Sequence, residues 1–300
     1  MSQPMNEHVI QTSNLGKRFG RREALSGVDF TVNRGSVVGL LGMNGAGKTT
    51  LLKCLLGLLR PTSGAAGVFG EDSRDLSPAA KAHIGYVPQE PSIYPWMTVG
   101  QVIDYTAAFY QRWNRGLIAS LAGQQRLGMA EKVGPLSVGQ RQTLATLLAL
   151  GHEPELLVLD EPVASLDPAA RRLFLRTLLD IAADGSRTVL FSTHITSDLE
   201  RIASEVAILR NGRIELHTDL GALKDSVKRL RIASDPPDST LPPDLAVPGS
   251  LNFTRNGHTA TATVRGFTES LPHELRQRWN VQVTVQDLNL EEIFLELHGG

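Results

Sequence analysis

One stretch constrains this chain more than any other: Gly42-Met43-Asn44-Gly45-Ala46-Gly47-Lys48-Thr49. It fits the pattern GxxxxGK[ST] and follows the continuous apolar run Val37-Val38-Gly39-Leu40-Leu41. The next residues carry a helical pattern, expected over Lys48–Leu59. A buried strand, a glycine-rich turn and a helix start, in that order, form a phosphate-binding loop. The glycines let successive backbone N–H groups converge on one phosphate chain, and the helix N-terminus adds a favourable dipole. Gly42 through Thr49, with Thr50, are therefore candidate phosphate-binding residues. Lys48 can reach the terminal phosphates, and the Thr49 hydroxyl can ligate Mg2+.

A strand-loop-helix unit of this kind needs a parallel sheet around it. Further runs supply one: Ile84-Gly85-Tyr86-Val87, Leu156-Leu157-Val158-Leu159, Thr188-Val189-Leu190-Phe191 and Val206-Ala207-Ile208-Leu209. Short, continuously apolar runs between turn signals are strands buried on both faces. Helical stretches over Gly139–Leu150 and Pro168–Ala183 lie between them, the second capped by Asp167 with Pro168 at its first position. From Val9 to about Leu216 this is an α/β layer architecture. The texture changes near residue 232, where Pro236, Pro237, Pro242, Pro243 and Pro248 mark a linker or loop. Beyond it, Leu251–Arg255 and His258–Arg265 alternate around Asn256-Gly257, a hairpin signal. A helix over Glu269–Trp279, a strand over Val281–Val285 and a helix over Leu290–Leu297 complete a small α+β unit.

Charge and cysteine content narrow the function classes. Lys plus Arg is 30 and Asp plus Glu is 31, for a net charge of −1. That balance argues against a nucleic-acid grip and against a polybasic membrane anchor. No run reaches the ~18–20 apolar residues of a membrane helix. Met1–Asn14 shows no signal-peptide pattern, so a soluble cytoplasmic protein is expected. The single cysteine, Cys54, sits in an apolar helix and reads as a small buried side chain.

Two further segments decide among phosphate-loop enzymes. Leu156–Leu159 runs into Asp160-Glu161-Pro162. A carboxylate at the end of a buried strand is costly unless it is paired or faces a cation. Asp160 suits a Mg2+ shell, directly or through water, and Glu161 is placed to polarise an attacking water as general base. Leu136-Ser137-Val138-Gly139-Gln140 precedes a helix, with Ser137 standing 23 residues before Asp160. Ser137 and the adjacent N–H groups suit either a phosphate or a plain helix cap.

Taken together these motifs resemble the ATP-binding cassette (ABC) family, whose signature is LSGGQ. The resemblance covers about residues 8–225, the expected ATP-binding domain, and places a helical subdomain at about 95–150. It implies a P-loop NTPase with a RecA-like core, followed by the accessory α+β domain at 226–300. ATP and Mg2+ are the implied cofactors. Phe19, in Lys17-Arg18-Phe19-Gly20, stands where the family stacks an aromatic on adenine. Gln89 resembles the Q-loop glutamine that contacts Mg2+, and His194 the switch histidine at the γ-phosphate. Ser165-Leu166-Asp167 is similar to the D-loop, although Asp167 also suits a helix cap. Ser137, Gly139 and Gln140 would bind nucleotide as the signature, far from the phosphate loop of their own chain. Val138 departs from the usual glycine there, Met43 from a usual proline or serine, and Ala164-Ser165 from Ser-Gly.

The resemblance implies an ATP-hydrolysing transporter subunit, peripheral on the cytoplasmic face of the inner membrane. Its partners would be a separate membrane permease and a second ATP-binding subunit, identical or related. Asn289-Leu290-Glu291-Glu292-Ile293-Phe294-Leu295-Glu296-Leu297 resembles the ending of ATPase subunits of bacterial exporters that handle drugs, antibiotics or lipids. Ile93, Tyr94, Trp96 and Met97, in a Pro-bounded loop after Gln89, are the expected docking surface for the permease. Two rivals fit less well. ABC ATPases of translation or repair usually carry two cassettes, a coiled-coil insertion or basic extensions. A small-molecule kinase or GTPase would lack the signature-to-carboxylate spacing, and no Asn-Lys-x-Asp occurs.

Overall fold

The computed structural model describes residues 7–298 apart from Ser165, Asp184 and Asp238. The chain divides into two compact units between His217 and Thr218. The expected boundary at 225/226 falls inside the second unit, because the helix Leu220–Ser226 leads directly into that unit's strand Val227–Ser234.

The first unit is built on a six-stranded sheet. From edge to edge its strands are Arg213–Asp219, Glu205–Arg210, Val37–Leu41, Thr188–Thr193, Leu156–Asp160 and Ile84–Val87. The last five pair parallel, as continuous apolar runs require. Leu156–Asp160 is buried along its whole length. A second sheet of four strands is ordered Arg22–Asn33, His8–Phe19, Ser63–Val68 and Glu71–Asp72. Ile10, Leu15, Leu25 and Val68 from this sheet share one core with Val38, Leu40, Leu52 and Val158. Cys54 is buried in that core, and burial raises its thiol pKa.

Local signals account for the helices. The expected helix Lys48–Leu59 stops at Leu55. Gly57 takes a φ of +69° there, and a Cβ on it would lie 2.3 Å from the Ser73 carbonyl, so the chain must leave the helix through a glycine. In the predicted helical region, Val99–Ala107, Arg115–Gln124 and Val138–Leu150 are helical. Thr98 with Gln101 and Ser137 with Gln140 form capping boxes at two of them. Pro168–Ala182 begins with Asp167 capping Ala169 and Ala170. Among the described residues no helix is long and apolar enough to cross a membrane.

The second unit is an antiparallel sheet of four strands in the order Ser250–Asn256, Thr259–Arg265, Val227–Ser234 and Val281–Asp287. Asn256 pairs with Thr259 across the expected hairpin, with Gly257 at φ +59°. Leu230, Ile232, Ala262, Leu275 and Val283 form its core. Leu241, Leu245 and Val247, from the proline-rich segment, join that core. The segment is therefore a packed loop of this unit rather than a linker. On the terminal helix Leu290–His298, Glu292 and Glu296 hold Arg229 at 2.8 and 3.1 Å.

Candidate active site

The phosphate loop leaves the middle of the six-stranded sheet. Its first residue is pressed against the next strand, since a Cβ on Gly42 would sit 2.5 Å from the Leu209 carbonyl. Gly47 caps the helix at φ +113°, where a Cβ would lie 2.6 Å from the Ala24 carbonyl. Both positions exclude any side chain, so the backbone can curl tightly in front of Lys48. Lys48 folds back over the loop. Its Nζ donates to the Gly42 carbonyl at 2.6 Å and the Met43 carbonyl at 3.3 Å. The same Nζ is 3.0 Å from Glu161 Oε1, and both side chains are only 6% exposed.

The strand Leu156–Asp160 delivers two carboxylates with different surroundings. Ser192 Oγ donates to Asp160 Oδ1 at 2.7 Å, while Asp160 Oδ2 is buried without a hydrogen-bond partner. Glu161 has a φ of +48°, so the chain turns sharply as it leaves the sheet. The Glu161 N–H donates to the same Ser192 hydroxyl at 3.0 Å. Glu161 Oε2 is 2.8 Å from His194 Nδ1, and the His194 side chain is 43% exposed. Glu161 is thus held between a buried ammonium and an imidazole that reaches solvent, an arrangement able to accept a proton from water near a phosphate chain.

Phe19, Met43, Asn44, Gly45, Gly47, Lys48, Thr49, Thr50, Gln89 and Glu161 line one cavity of about 430 Å³. Arg22 and Ala24 complete it, and neither was singled out from sequence. Arg22 reaches the cavity only because the hairpin pairs it with Phe19, and no local sequence signal marks it. Ser192 is a further site residue without a sequence signal, because a hydroxyl that bridges two consecutive residues from another strand leaves no spacing pattern. The expected signature residues Ser137, Gly139 and Gln140 do not line this cavity, nor does Asp167. Ser137 and Gln140 cap each other, the Gln140 N–H donating to Ser137 Oγ at 3.2 Å and the Ser137 N–H to Gln140 Oε1 at 2.9 Å. Asp167 Oδ1 accepts from Ala169 and Ala170, the cap that sequence also allowed. Ser165, expected in the D-loop, lies outside the described residues.

Gln89 lines a second groove of about 500 Å³ with Pro91, Ile93, Pro95, Val138 and Arg141. Beside it Tyr94 and Trp96 are exposed, whereas Ile93 and Met97 are half-buried. Four rings form a ladder: Trp96 to Tyr94 at 5.2 Å, Tyr94 to Tyr105 at 5.7 Å and Tyr105 to Phe109 at 5.2 Å.

Comparison with known proteins gives consistent matches. The family described as ABC transporter matches residues 25–164. The chain is 33% identical to the Nod factor export ATP-binding protein I of Burkholderia orbicola (strain AU 1054) over 304 residues, 98% of each chain. It is 36% identical to the uncharacterized ABC transporter ATP-binding protein YxlF of Bacillus subtilis (strain 168) over 221 residues, 72% of each. Among solved structures, the ATP-binding subunit of an ABC transporter matches with a TM-score of 0.65 at 29% identity, over 72% of this chain and 92% of that one.

Proposed function

Since the chain belongs to the ATP-binding cassette family, as the ATP-hydrolysing subunit of a transporter, we propose that it closes ATP between two such subunits and passes the closure to a separate membrane permease through the groove beside Gln89. The observation that carries this reading is the make-up of the cavity. It holds the phosphate loop, Phe19, Gln89 and Glu161 of one chain but none of Ser137, Gly139 or Gln140. A second subunit would bring its own Ser137–Gly139 to the open side, and two copies related by a two-fold axis would make two equal sites.

Each residue's part follows from its surroundings. Phe19 offers the cavity an exposed ring for adenine. Lys48 leaves Glu161 for the terminal phosphates when nucleotide arrives, and Glu161 is then free to take a proton from the attacking water. His194 holds the other Glu161 oxygen and so fixes the direction of the base. Mg2+ would be held by Thr49 and Asp160 with Gln89. The unpartnered Asp160 Oδ2 fits such an ion, and all three side chains offer the oxygens that a hard divalent cation takes. When bound, the ion neutralises charge between the phosphate oxygens.

Gln89 lines both the cavity and the groove, so a change at the phosphates reaches the docking surface through one residue. Trp96 is 68% exposed, and the ladder beyond it ends on Phe109, which is 70% exposed. Exposed aromatic rings of this density are interface anchors. The permease would place the subunit peripherally on the cytoplasmic face of the inner membrane. Export is the favoured direction, because the full-length relative is a Nod factor export protein.

Sizing tests the composite site. Glu161→Gln at micromolar concentration should run as a monomer without nucleotide and as a dimer with saturating ATP. A monomer in both conditions, with no pairing to a co-expressed related cassette, overturns the proposal. The groove has its own test. Trp96→Ala combined with Tyr94→Ala should leave basal ATPase within twofold and abolish co-purification with the membrane subunit from detergent extracts. Survival of co-purification and transport would place docking elsewhere.

A further inference from the structure

We infer that Arg22 is a nucleotide-binding residue whose guanidinium takes an inner phosphate, one that ADP and ATP share. Arg22 stands opposite Phe19 at the closing pair of the hairpin between His8–Phe19 and Arg22–Asn33. Gly20, at φ +58°, allows the tight turn that brings the two residues together. Both side chains line the same cavity as the phosphate loop. The guanidinium reaches across to that loop: a Cβ on Gly45 would be 3.6 Å from one of its terminal nitrogens. The hairpin therefore supplies a ring and a cation side by side, facing backbone built for phosphates.

Charge sets the role. The charged side chains lining the cavity are Arg22, Lys48 and Glu161. Lys48 and Glu161 neutralise each other at 3.0 Å, which leaves Arg22 as the unmatched charge. Among the described residues no carboxylate is paired with Arg22. Its neighbour Lys17 is differently occupied, donating to the Arg60 carbonyl at 2.7 Å and lying 5.0 Å from the centre of the Phe19 ring. A guanidinium offers a planar fork that matches two phosphate oxygens at once, which an ammonium cannot do. Position along the nucleotide follows from the two ends of the cavity. Lys48 and Glu161 mark the end where the terminal phosphate reacts, and Phe19 marks the base. The Arg22 backbone pairs with Phe19 while its guanidinium stands beside Gly45 of the loop, between those two ends, so an inner phosphate, common to ADP and ATP, falls to it. This step rests on the proposed nucleotide site and names a further contact within it.

The test is binding of ADP and ATP, each with Mg2+, to the full-length chain by titration calorimetry. Arg22→Ala should raise both dissociation constants about 5- to 20-fold, the size of one partly exposed charge-assisted hydrogen bond. The two losses should be equal, because the phosphate concerned is common to both nucleotides. Arg22→Lys should recover only part of the loss. KM for ATP should rise by the same factor as the dissociation constants while the melting temperature without nucleotide matches wild type, a pairing that general damage to the fold does not produce. Dissociation constants within twofold of wild type overturn the inference, as does a loss confined to ATP, which would move the contact to the terminal phosphate. A wild-type chain that binds neither nucleotide sinks the nucleotide site itself, a result distinct from either of these.

Discussion

Glu161→Gln is expected to lower the ATPase rate about 10²- to 10⁴-fold, the usual cost of removing a general base, while ATP affinity holds or improves. Glutamine keeps the shape of the side chain and can still bond His194, so the left-handed turn at residue 161 and the Ser192 contact to its N–H should survive. What disappears is the proton acceptor. The ion pair with Lys48 disappears with it, and that pair opposes nucleotide binding, because Lys48 must leave it to reach phosphate. Binding is thus a difference between two ion pairs, and the substitution weakens the competing one. Single-turnover hydrolysis with calorimetry checks both halves. Turnover within tenfold of wild type would remove Glu161 from the role of base.

Lys48→Ala should act in the opposite way, weakening ATP roughly 10²- to 10³-fold. The substitution deletes a buried cation and uncovers a buried anion in the same cavity. Removing one partner of a buried pair costs about 3–5 kcal/mol, and each 1.4 kcal/mol is tenfold. The double variant Lys48→Ala, Glu161→Gln separates the two effects. It should bind ATP more tightly than Lys48→Ala alone, because the repelling carboxylate is gone while the lost phosphate contact is unchanged. A Lys48→Ala protein that binds ATP within tenfold of wild type would contradict this account.

The parallel sheet was readable because strands buried on both faces leave uninterrupted apolar runs, and each such run in this chain became a core strand. The antiparallel pair His8–Phe19 and Arg22–Asn33 was not readable. Its register shifts four times, between His8 and Ile10, Thr12 and Leu15, Leu15 and Lys17, and Lys17 and Arg18, and every shift scrambles the alternation that marks a half-buried strand. Arg22 was lost with that pair. In the strand Val227–Ser234, Arg229 and Arg231 alternate with Leu230 and Ile232, an alternation too short to stand out beside the proline-rich segment. Within the site, Lys48, Asp160, Glu161 and His194 were legible because fixed spacing from strands and turns exposes them. Their mutual contacts were not, because Glu161 meets Lys48 and His194 only after three separate strands align.

Ser192 gives those two carboxylates separate addresses. Its one hydrogen points at Asp160 Oδ1, so its lone pairs are what the Glu161 N–H meets. That orientation leaves Asp160 one buried oxygen, Oδ2, without a hydrogen-bond partner, while the turn at residue 161 sends the next carboxylate to the ammonium and imidazole instead. Two acids adjacent in the chain therefore cannot trade jobs, whatever their intrinsic acidity. A chain with Asp and Glu exchanged at these positions would keep its composition, its charge and its sheet, yet the shorter side chain would no longer span to both Lys48 and His194. The wiring, rather than the inventory, is what this strand end encodes.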